Sequence, residues 1–201
     1  LARGTHVWIA EADDSCRESF LTETRKGFRT PGVVLSYCES RQVDEEGRIL
    51  ADNYLAYVSD IGARRWLTPF VMDSDRAARS FCVKNFIPNV SAVLFEARSL
   101  RDVLAQHIER IVTYRVAGDW LVYVLLLQHG CVAFNPVSAN DHRRHQRSVT
   151  LGSFNAAQLN EILKMQAFVA REFPVPAEQI MAAQAYAKEL AVQFGLSNVD
   201  L

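Results

Sequence analysis

The sequence lacks several features that would identify a protein class at once. Its four cysteines, Cys16, Cys38, Cys82 and Cys131, are far apart and form no C-x-x-C pair. This spacing disfavours a zinc ribbon, a thioredoxin-type motif and a disulfide-dense scaffold, and it favours scattered thiols in a reducing cytoplasm. The G-x-G-x-x-G, Walker A, G-x-S-x-G and H-E-x-x-H signatures are missing too. No short motif therefore points to a dinucleotide, P-loop, serine-hydrolase or zincin site.

An excess of charge of one sign is also missing. Lys plus Arg number 22 and Asp plus Glu number 23, which gives a formal net charge of -1. Without an overall basic field to attract it, nucleic acid is not an expected partner. No apolar run reaches the ~20 residues of a membrane-spanning helix, and no signal peptide is recognisable. We therefore predict a cytoplasmic chain without a transmembrane segment.

The composition is that of a globular protein, with 49% apolar and 22% charged residues. Short apolar runs predict strands at 6–10, 33–38, 48–50, 89–95 and 131–134, the last ended by Pro136. Helical spacing predicts helices at 15–26 with Ser15 as its cap, 99–112 opened by Ser99, 119–129, 154–173 and 177–194. Residues 51–84 lack clear periodicity and are predicted to be mostly loop with short helical turns. The predicted fold class is α/β.

The first candidate site is Glu11-Ala12-Asp13-Asp14, at the end of the first predicted strand. In extended geometry Glu11 and Asp13 share a face. The carboxyl ends of strands are where α/β folds bind ligands, and carboxylates gathered there repel one another unless a cation neutralises them. Oxygen ligands suit Mg²⁺ or Mn²⁺, which commonly bridge to a diphosphate. The alternative is a solvated acidic turn that caps the next helix.

Two further groups of side chains are candidates for catalysis or ligand binding. Asp119, at the start of an apolar helix, is either a helix cap or a general base that faces a cleft. The segment 142–147, HRRHQR, is either a solvated basic loop or a phosphate clamp, in which His145 could instead bind a metal. Trp120 is either a core residue or part of a sugar pocket. An acidic metal site, a lone carboxylate and a basic clamp together suit transfer of a group from a diphosphate.

The order of these motifs resembles the family 2 glycosyltransferases of the GT-A fold, especially bacterial enzymes of surface-polysaccharide synthesis. The resemblance covers residues 3–150. Its matching segments are 7–14 (the strand ending in the D-x-D motif), 34–40 with 43–48 (the following hairpin), 85–95 (the strand before the acceptor-side helix), 117–120 (the base segment) and 143–150 (the R-x-H-x-x-S segment). Two positions depart from the family pattern. Glu11 replaces the first Asp of D-x-D, and Gly118 stands where an acid commonly precedes the base.

The resemblance implies a partial GT-A, Rossmann-like mixed sheet flanked by helices, with a C-terminal helical pair. Residues 1–150 would be the C-terminal part of the transferase domain, without its N-terminal nucleotide-binding part, and residues 151–201 a helical extension. The implied function is inverting transfer of a sugar from a nucleotide-sugar donor to a glycan or lipid-linked acceptor in bacterial polysaccharide biosynthesis. The parent protein would be cytoplasmic, at the inner face of the membrane, and a free sheet edge would favour a homodimer.

On the donor side, the resemblance implies a divalent metal ion, Mg²⁺ or Mn²⁺. Asp13 would be its main ligand, and Glu11 would assist. Asp14, Arg143 and His145 would bind the nucleotide diphosphate.

On the acceptor side, Asp119 would deprotonate the attacking hydroxyl. Asn89, Ser91 and Trp120 would line the sugar and acceptor pocket. Two alternatives stay open: a non-catalytic glycan- or protein-binding module derived from a glycosyltransferase, and a metal-dependent phosphohydrolase built on the acidic cluster.

Overall fold

The structure, a computed structural model, describes residues 2–145 and 154–196. Over these residues it has one mixed sheet of seven strands, with helices packed on it. The strands are β1 His6–Trp8, β2 Ser15–Cys16, β3 Val33–Val43, β4 Ile49–Ala51, β5 Phe70–Met72, β6 Val93–Glu96 and β7 Cys131–Arg143. The α-helices are α1 Phe20–Arg25, α2 Ser74–Val83, α3 Ala97–Ile111, α4 Gly118–Leu126, α5 Ala156–Glu172 and α6 Ala177–Gln193. The predicted α/β class, a mixed sheet flanked by helices, is confirmed.

The centre of the sheet is the parallel pair β3 and β7. They pair from Val33 opposite Cys131 to Val43 opposite Arg143. β6 lies antiparallel on the other side of β3, and β1 pairs with β6. β2 and β5 both pair with β7, at its two ends. Because parallel strands end on the same side of a sheet, the pair carries the basic segment at the end of β7 to the turn that follows β3.

β3 is covered by the hydrophobic core on both faces, as expected for a strand at the centre of the sheet. Every residue of β3 from Val33 to Ser40 is buried, which is typical of a strand covered on both faces. On one face, Tyr37 packs with the apolar sides of α2 and α4, and on the other Cys38 packs with Phe20 of α1. α4 is buried all round from residue 120 to residue 126, so its N-terminal end is held by a packed core.

The C-terminal helices α5 and α6 pack on each other and on α2, and Met165 and Phe168 belong to the same core as the sheet. Gln166, which is buried, donates hydrogen bonds of 2.9 Å to the carbonyl oxygens of both Val83 and Ala183. Both predicted C-terminal helices are present. In the part of the chain that the structure describes, no helix is long and apolar enough to cross a bilayer.

Two predicted helix starts are wrong. Ser15, predicted to cap the first helix, forms β2 instead, because it pairs with Asp141 of β7. The helix predicted to begin at Ser99 begins at Ala97. Its cap is Glu96, whose carboxylate accepts hydrogen bonds from the first free backbone N–H groups of the helix.

The prediction of a mostly irregular segment over 51–84 is also wrong in part, since it contains β5 and the ten-residue α2. Asp73 caps α2 by accepting a hydrogen bond from the backbone N–H of Arg76 at 2.8 Å. The buried face of α2 is made largely of small residues such as Ala77 and Ala78, so its apolar periodicity is weak in the sequence.

Pro136 does not end the last strand, as the sequence predicted. The register of β7 against β3 shifts at this point, from Cys38 opposite Asn135 to Glu39 opposite Ser138. Pro136 therefore lies in an irregular stretch of the ladder, where its missing N–H removes no pairing hydrogen bond. The strand continues to Arg143 and delivers that residue to the candidate site.

Gly130 offers a stability test of the central strand pair. A β-carbon at this position would overlap the carbonyl oxygen of Gly32 and lie 2.9 Å from Cγ1 of Val34. We predict that Gly130→Ala lowers the free energy of unfolding by about 1–3 kcal/mol, the usual cost of overpacking. Urea denaturation measures this change. Gly118→Ala, whose added carbon would come no closer than 3.3 Å to its neighbours, is the control. Equal stability of Gly130→Ala and the unsubstituted chain would contradict the packing.

Candidate functional site

Asp14 connects the segments of the candidate site through hydrogen bonds. Its Oδ1 accepts a hydrogen bond from the backbone N–H of Arg143 at 2.8 Å, and its Oδ2 accepts one from Nδ2 of Asn89 at 2.9 Å. Asn89 is only 3% exposed, and it also donates to Oδ1 of Asn140 at 2.8 Å. These bonds join the acidic loop after β1 to the end of β7 and to the segment before β6. Both oxygens of Asp14 are thus used by the protein itself.

Asp13 and His145 form a direct pair, although they are 132 residues apart in the chain. His145 Nε2 lies 3.0 Å from Oδ2 of Asp13, and its other ring nitrogen lies 3.6 Å from Oε1 of Glu45. The Asp13 side chain is 52% exposed and that of His145 31%. A carboxylate and an imidazole therefore meet at a surface that a ligand can reach.

Arg143 lies in the site as predicted, but its guanidinium is largely engaged. Nε donates to the carbonyl oxygen of Asp13 at 2.8 Å, and Nη1 donates to those of Asp44 and Glu45 at 2.8 and 2.9 Å. The side chain therefore braces the acidic loop against the turn after β3. Of its terminal nitrogens, Nη2 has no acceptor among the described residues and is left for an anion.

The chemistry of Asp13 and His145 fits a divalent cation that is completed by substrate. Mg²⁺ is usually held by one or two protein carboxylates plus phosphate oxygens, rather than by a full protein cage. Among residues 2–145 and 154–196, no group of three or more His, Cys, Asp or Glu side chains is arranged to hold a metal ion. Asp13 and His145 could supply two ligands, and a diphosphate the others.

Glu11 lies beside this pair, where its backbone is fixed by Ser91. The N–H of Glu11 donates to Oγ of Ser91 at 3.0 Å, and Nε1 of Trp8 donates to the Ser91 carbonyl oxygen at 2.8 Å. Ser91 is only 1% exposed, so it anchors the strand end and offers little surface to a sugar. Loss of hydration, followed by the neighbouring charges, raises the pKa of Glu11 to about 6; those charges are on Asp14, Asp13 and Asp119.

Asp119 lies in the first turn of α4, within electrostatic reach of Glu11. Its Oδ1 accepts a hydrogen bond from the backbone N–H of Trp120 at 2.7 Å, and its Oδ2 accepts one from Nδ2 of Asn85 at 3.3 Å. Burial raises the pKa of Asp119 to about 6, although both hydrogen bonds oppose that rise. A carboxyl with this pKa is mostly ionised at neutral pH and still basic enough to accept a proton.

Two aromatic residues of α4 lie in the core behind Asp119. Trp120, predicted in the sugar and acceptor pocket, is only 3% exposed, so little of it is open to a ligand. Its indole N–H and the buried hydroxyl of Tyr123 have no hydrogen-bond partner in the described part of the chain. Burial and the charges of Asp119 and Glu11 raise the pKa of Tyr123 far above its ordinary value. Tyr123 is thus within electrostatic reach of both carboxyls, which its core periodicity in the sequence did not indicate.

The partner of His142 could not be predicted from the sequence. The hydroxyl of Tyr54 lies 2.6 Å from Nδ1 of His142, and the two rings stack. Burial lowers the pKa of His142 to about 4, so this imidazole is neutral at pH 7 and is not part of a cationic clamp. Tyr54 belongs to the segment predicted to be loop, and no local pattern pointed to it. Residues 146–150, which complete the basic segment and the R-x-H-x-x-S segment, lie outside the described residues.

Comparison with known proteins gives no family assignment. No model of a known protein family matches the chain, and a search of curated proteins finds no match.

Asp119→Asn tests the electrostatics of the site without any substrate. The pKa of Asp119 is raised from 3.8 to about 6 in the folded chain. The stability contributed by its bound proton is therefore complete below pH ~4 and is lost as the pH rises through ~6. Asparagine does not ionise. We predict that the free energy of unfolding of Asp119→Asn, taken relative to that of the unsubstituted chain, rises by up to about 3 kcal/mol between pH 4 and pH 7.

Urea unfolding at several pH values between these limits measures the gain. Asp75→Asn, which changes an exposed carboxylate in the first turn of α2, gives the effect of removing a charge at the surface. A stability difference between Asp119→Asn and the unsubstituted chain that stays constant with pH would show that Asp119 has no raised pKa.

Proposed function

We propose that this chain is part of a nucleotide-sugar-dependent, metal-assisted, inverting glycosyltransferase that acts in bacterial polysaccharide biosynthesis. The acceptor would be a glycan or a lipid-linked sugar. The observation that carries the proposal is the contact between Asp13 and His145 at 3.0 Å. These residues belong to two distant segments that the sequence resemblance assigns to one diphosphate site.

On the donor side, Asp13 and His145 would hold a divalent cation, with Glu11 beside them. Such an ion, when bound, offsets the negative charge that develops on the diphosphate leaving group. Arg143 keeps the loop of Asp13 in place through three hydrogen bonds to backbone carbonyl oxygens. Nη2 of Arg143, which has no acceptor among the described residues, would donate to the phosphate oxygens, and His145 would reach the diphosphate through the cation.

On the acceptor side, Asp119 would accept the proton of the attacking hydroxyl. The hydroxyl oxygen then forms a bond to the anomeric carbon, while the bond from that carbon to the diphosphate oxygen breaks, with inversion. Asn85 orients the carboxylate by its hydrogen bond to Oδ2. The pKa of about 6 keeps Asp119 ready to accept a proton at neutral pH.

A thermal-shift titration tests the donor site. We predict that UDP or GDP raises the melting temperature only when Mn²⁺ or Mg²⁺ is present, because the cation joins the diphosphate to Asp13 and His145. A ligand at ~100 times its dissociation constant adds about 2.7 kcal/mol of stability. Asp13→Asn and His145→Ala should abolish this shift. Glu46→Gln, a charge change at a residue with a 65% exposed side chain on the nearby turn, is the control and should keep it. A metal-dependent shift that survives in Asp13→Asn would contradict the assignment.

Asp119→Asn also tests the chemical step. With a panel of UDP- and GDP-sugars and glycan acceptors, we predict that the substitution lowers kcat by about 10²–10⁴-fold, because the general base is lost. The metal-dependent diphosphate binding should remain, since no hydrogen bond or ion pair joins Asp119 to Asp13 or His145 in the described part of the chain. Full transfer activity of Asp119→Asn would show that another group takes the proton.

One observation favours the non-catalytic alternative, a glycan- or protein-binding module derived from a glycosyltransferase. Asp14 has both carboxylate oxygens bonded by protein donors, so the acidic loop is braced without any ligand. If the chain binds glycans but shows neither metal-dependent diphosphate binding nor sugar transfer, this alternative replaces the transferase proposal.

A further inference from the structure

The C-terminal helix α5 lies outside the sequence resemblance, but one of its side chains holds the segment that leads to Asp119. The Glu161 carboxylate accepts hydrogen bonds from three successive backbone N–H groups. That of Arg115 lies 2.9 Å from Oε1 and 3.0 Å from Oε2, and those of Val116 and Ala117 lie 2.8 and 3.2 Å from Oε2. Ala117 is the cap residue of α4, and Asp119 follows two positions later.

This arrangement does what a capping side chain does in other helices. Ala117 has no side-chain acceptor to offer the start of α4, and none caps it locally. Consecutive N–H groups that point at one place form a positive concavity, and the start of a helix adds to that field. The carboxylate of Glu161 fills the concavity from a distant part of the chain. The direction of the segment entering α4, and with it the position of Asp119, is thereby fixed by α5.

The same helical pair also supports the second partner of Asp119. Gln166 of α5 binds the carbonyl oxygen of Val83, two residues before the Asn85 that donates to Asp119. Lys84, between them, is buried and lies 4.5 Å from the ring of Tyr186 on α6. The helix start and the hydrogen-bond donor of Asp119 are thus both held from the C-terminal helices.

We infer that Glu161 is a positioning residue for Asp119, and that α5 and α6 belong to the working site rather than forming a separate appendage. The role of Asp119 as a base rests on the proposed function. Its position and its protonation are properties of the folded chain, which can be measured whether or not that function is right.

Glu161→Gln is the variant that tests the inference in the 201-residue chain. It keeps the size of the side chain but removes the negative charge that three backbone N–H groups share, and even with its carbonyl oxygen at the Oε2 position its NH₂ group would face the N–H of Arg115, which lies 2.9 Å from Oε1. Glu172→Gln is the matched control. Glu172 lies at the other end of α5, where it pairs with Arg171 at 2.8 Å.

The first measurement is the titration of the Asp119 carboxyl. It is monitored by ¹³C NMR of the chain labelled at aspartate, and the signal of Asp119 is assigned by its loss in Asp119→Asn. The groups that act electrostatically with Asp119, namely Glu11, Tyr57 and Tyr123, are the same in all variants. Since burial is the main cause of the raised pKa, a loosened helix start that admits water lowers it. We expect a fall of ~0.5 pH units or more in Glu161→Gln, and none in Glu172→Gln. An unchanged titration in Glu161→Gln overturns the inference.

The second readout is transfer from whichever UDP- or GDP-sugar the unsubstituted chain uses. Glu161→Gln should lower kcat about tenfold and leave KM for the donor within about twofold, because a displaced base slows the chemical step without weakening donor binding. A loss of kcat together with an unchanged Asp119 titration means general destabilisation and counts against positioning. If Glu161→Gln does not fold, Glu161→Asp, which keeps the charge but withdraws it by one methylene, undergoes the same two measurements.

The two claims fail separately. If no nucleotide sugar is used but the Asp119 titration still moves in Glu161→Gln, the positioning role stands and the transferase proposal fails. If transfer occurs and Glu161→Gln matches Glu172→Gln in both readouts, the transferase proposal stands and the positioning role fails.

Discussion

The parallel pairing of β3 with β7 is the constraint on which the rest of the structure depends. Parallel strands need a long crossover connection, and here that connection carries α2, β6, α3 and α4 onto the sheet. Because both strands end on the same side, the turn after β3 meets His145 at the end of β7. The antiparallel pairs on the flanks of β3 and β7 then bring in the acidic loop between β1 and β2. The candidate site is a consequence of this topology.

Four carboxyl groups lie in or near the site, and their surroundings in the fold differ. Asp14 accepts hydrogen bonds from two protein donors, and Asp13 is paired with an imidazole. Glu11 and Asp119 have no ion-pair partner among the described residues, and loss of hydration raises the pKa of each to about 6. Carboxyls with raised pKa values reduce stability at neutral pH, which is the usual relation between a reactive site and its fold. Two roles can thus be separated: Asp14 supports the loop, whereas Glu11 and Asp119 lie within electrostatic reach of each other.

Much of the fold could be predicted from local patterns, whereas the site could be predicted only through the order of its motifs. The apolar run of β3 and the periodic face of α5 are local signals, and both elements are present. α2 was missed because alanines make much of its buried face, and the length of β7 was missed because a register shift accommodates Pro136. Contacts between distant segments could not be predicted from local sequence patterns. Nothing near Glu161 in the sequence indicates that it binds the amides before Asp119, and nothing near Tyr54 points to His142.

The measurement that tests the central claim most directly is pulsed EPR of Mn²⁺ bound to the chain together with UDP or GDP. If Asp13 and His145 hold a metal–diphosphate complex, one Mn²⁺ ion should couple both to phosphorus of the nucleotide and to an imidazole nitrogen, and the nitrogen coupling should vanish in His145→Ala. A spectrum that shows phosphorus coupling alone, identical to that of Mn²⁺ with the free nucleotide, would contradict the account.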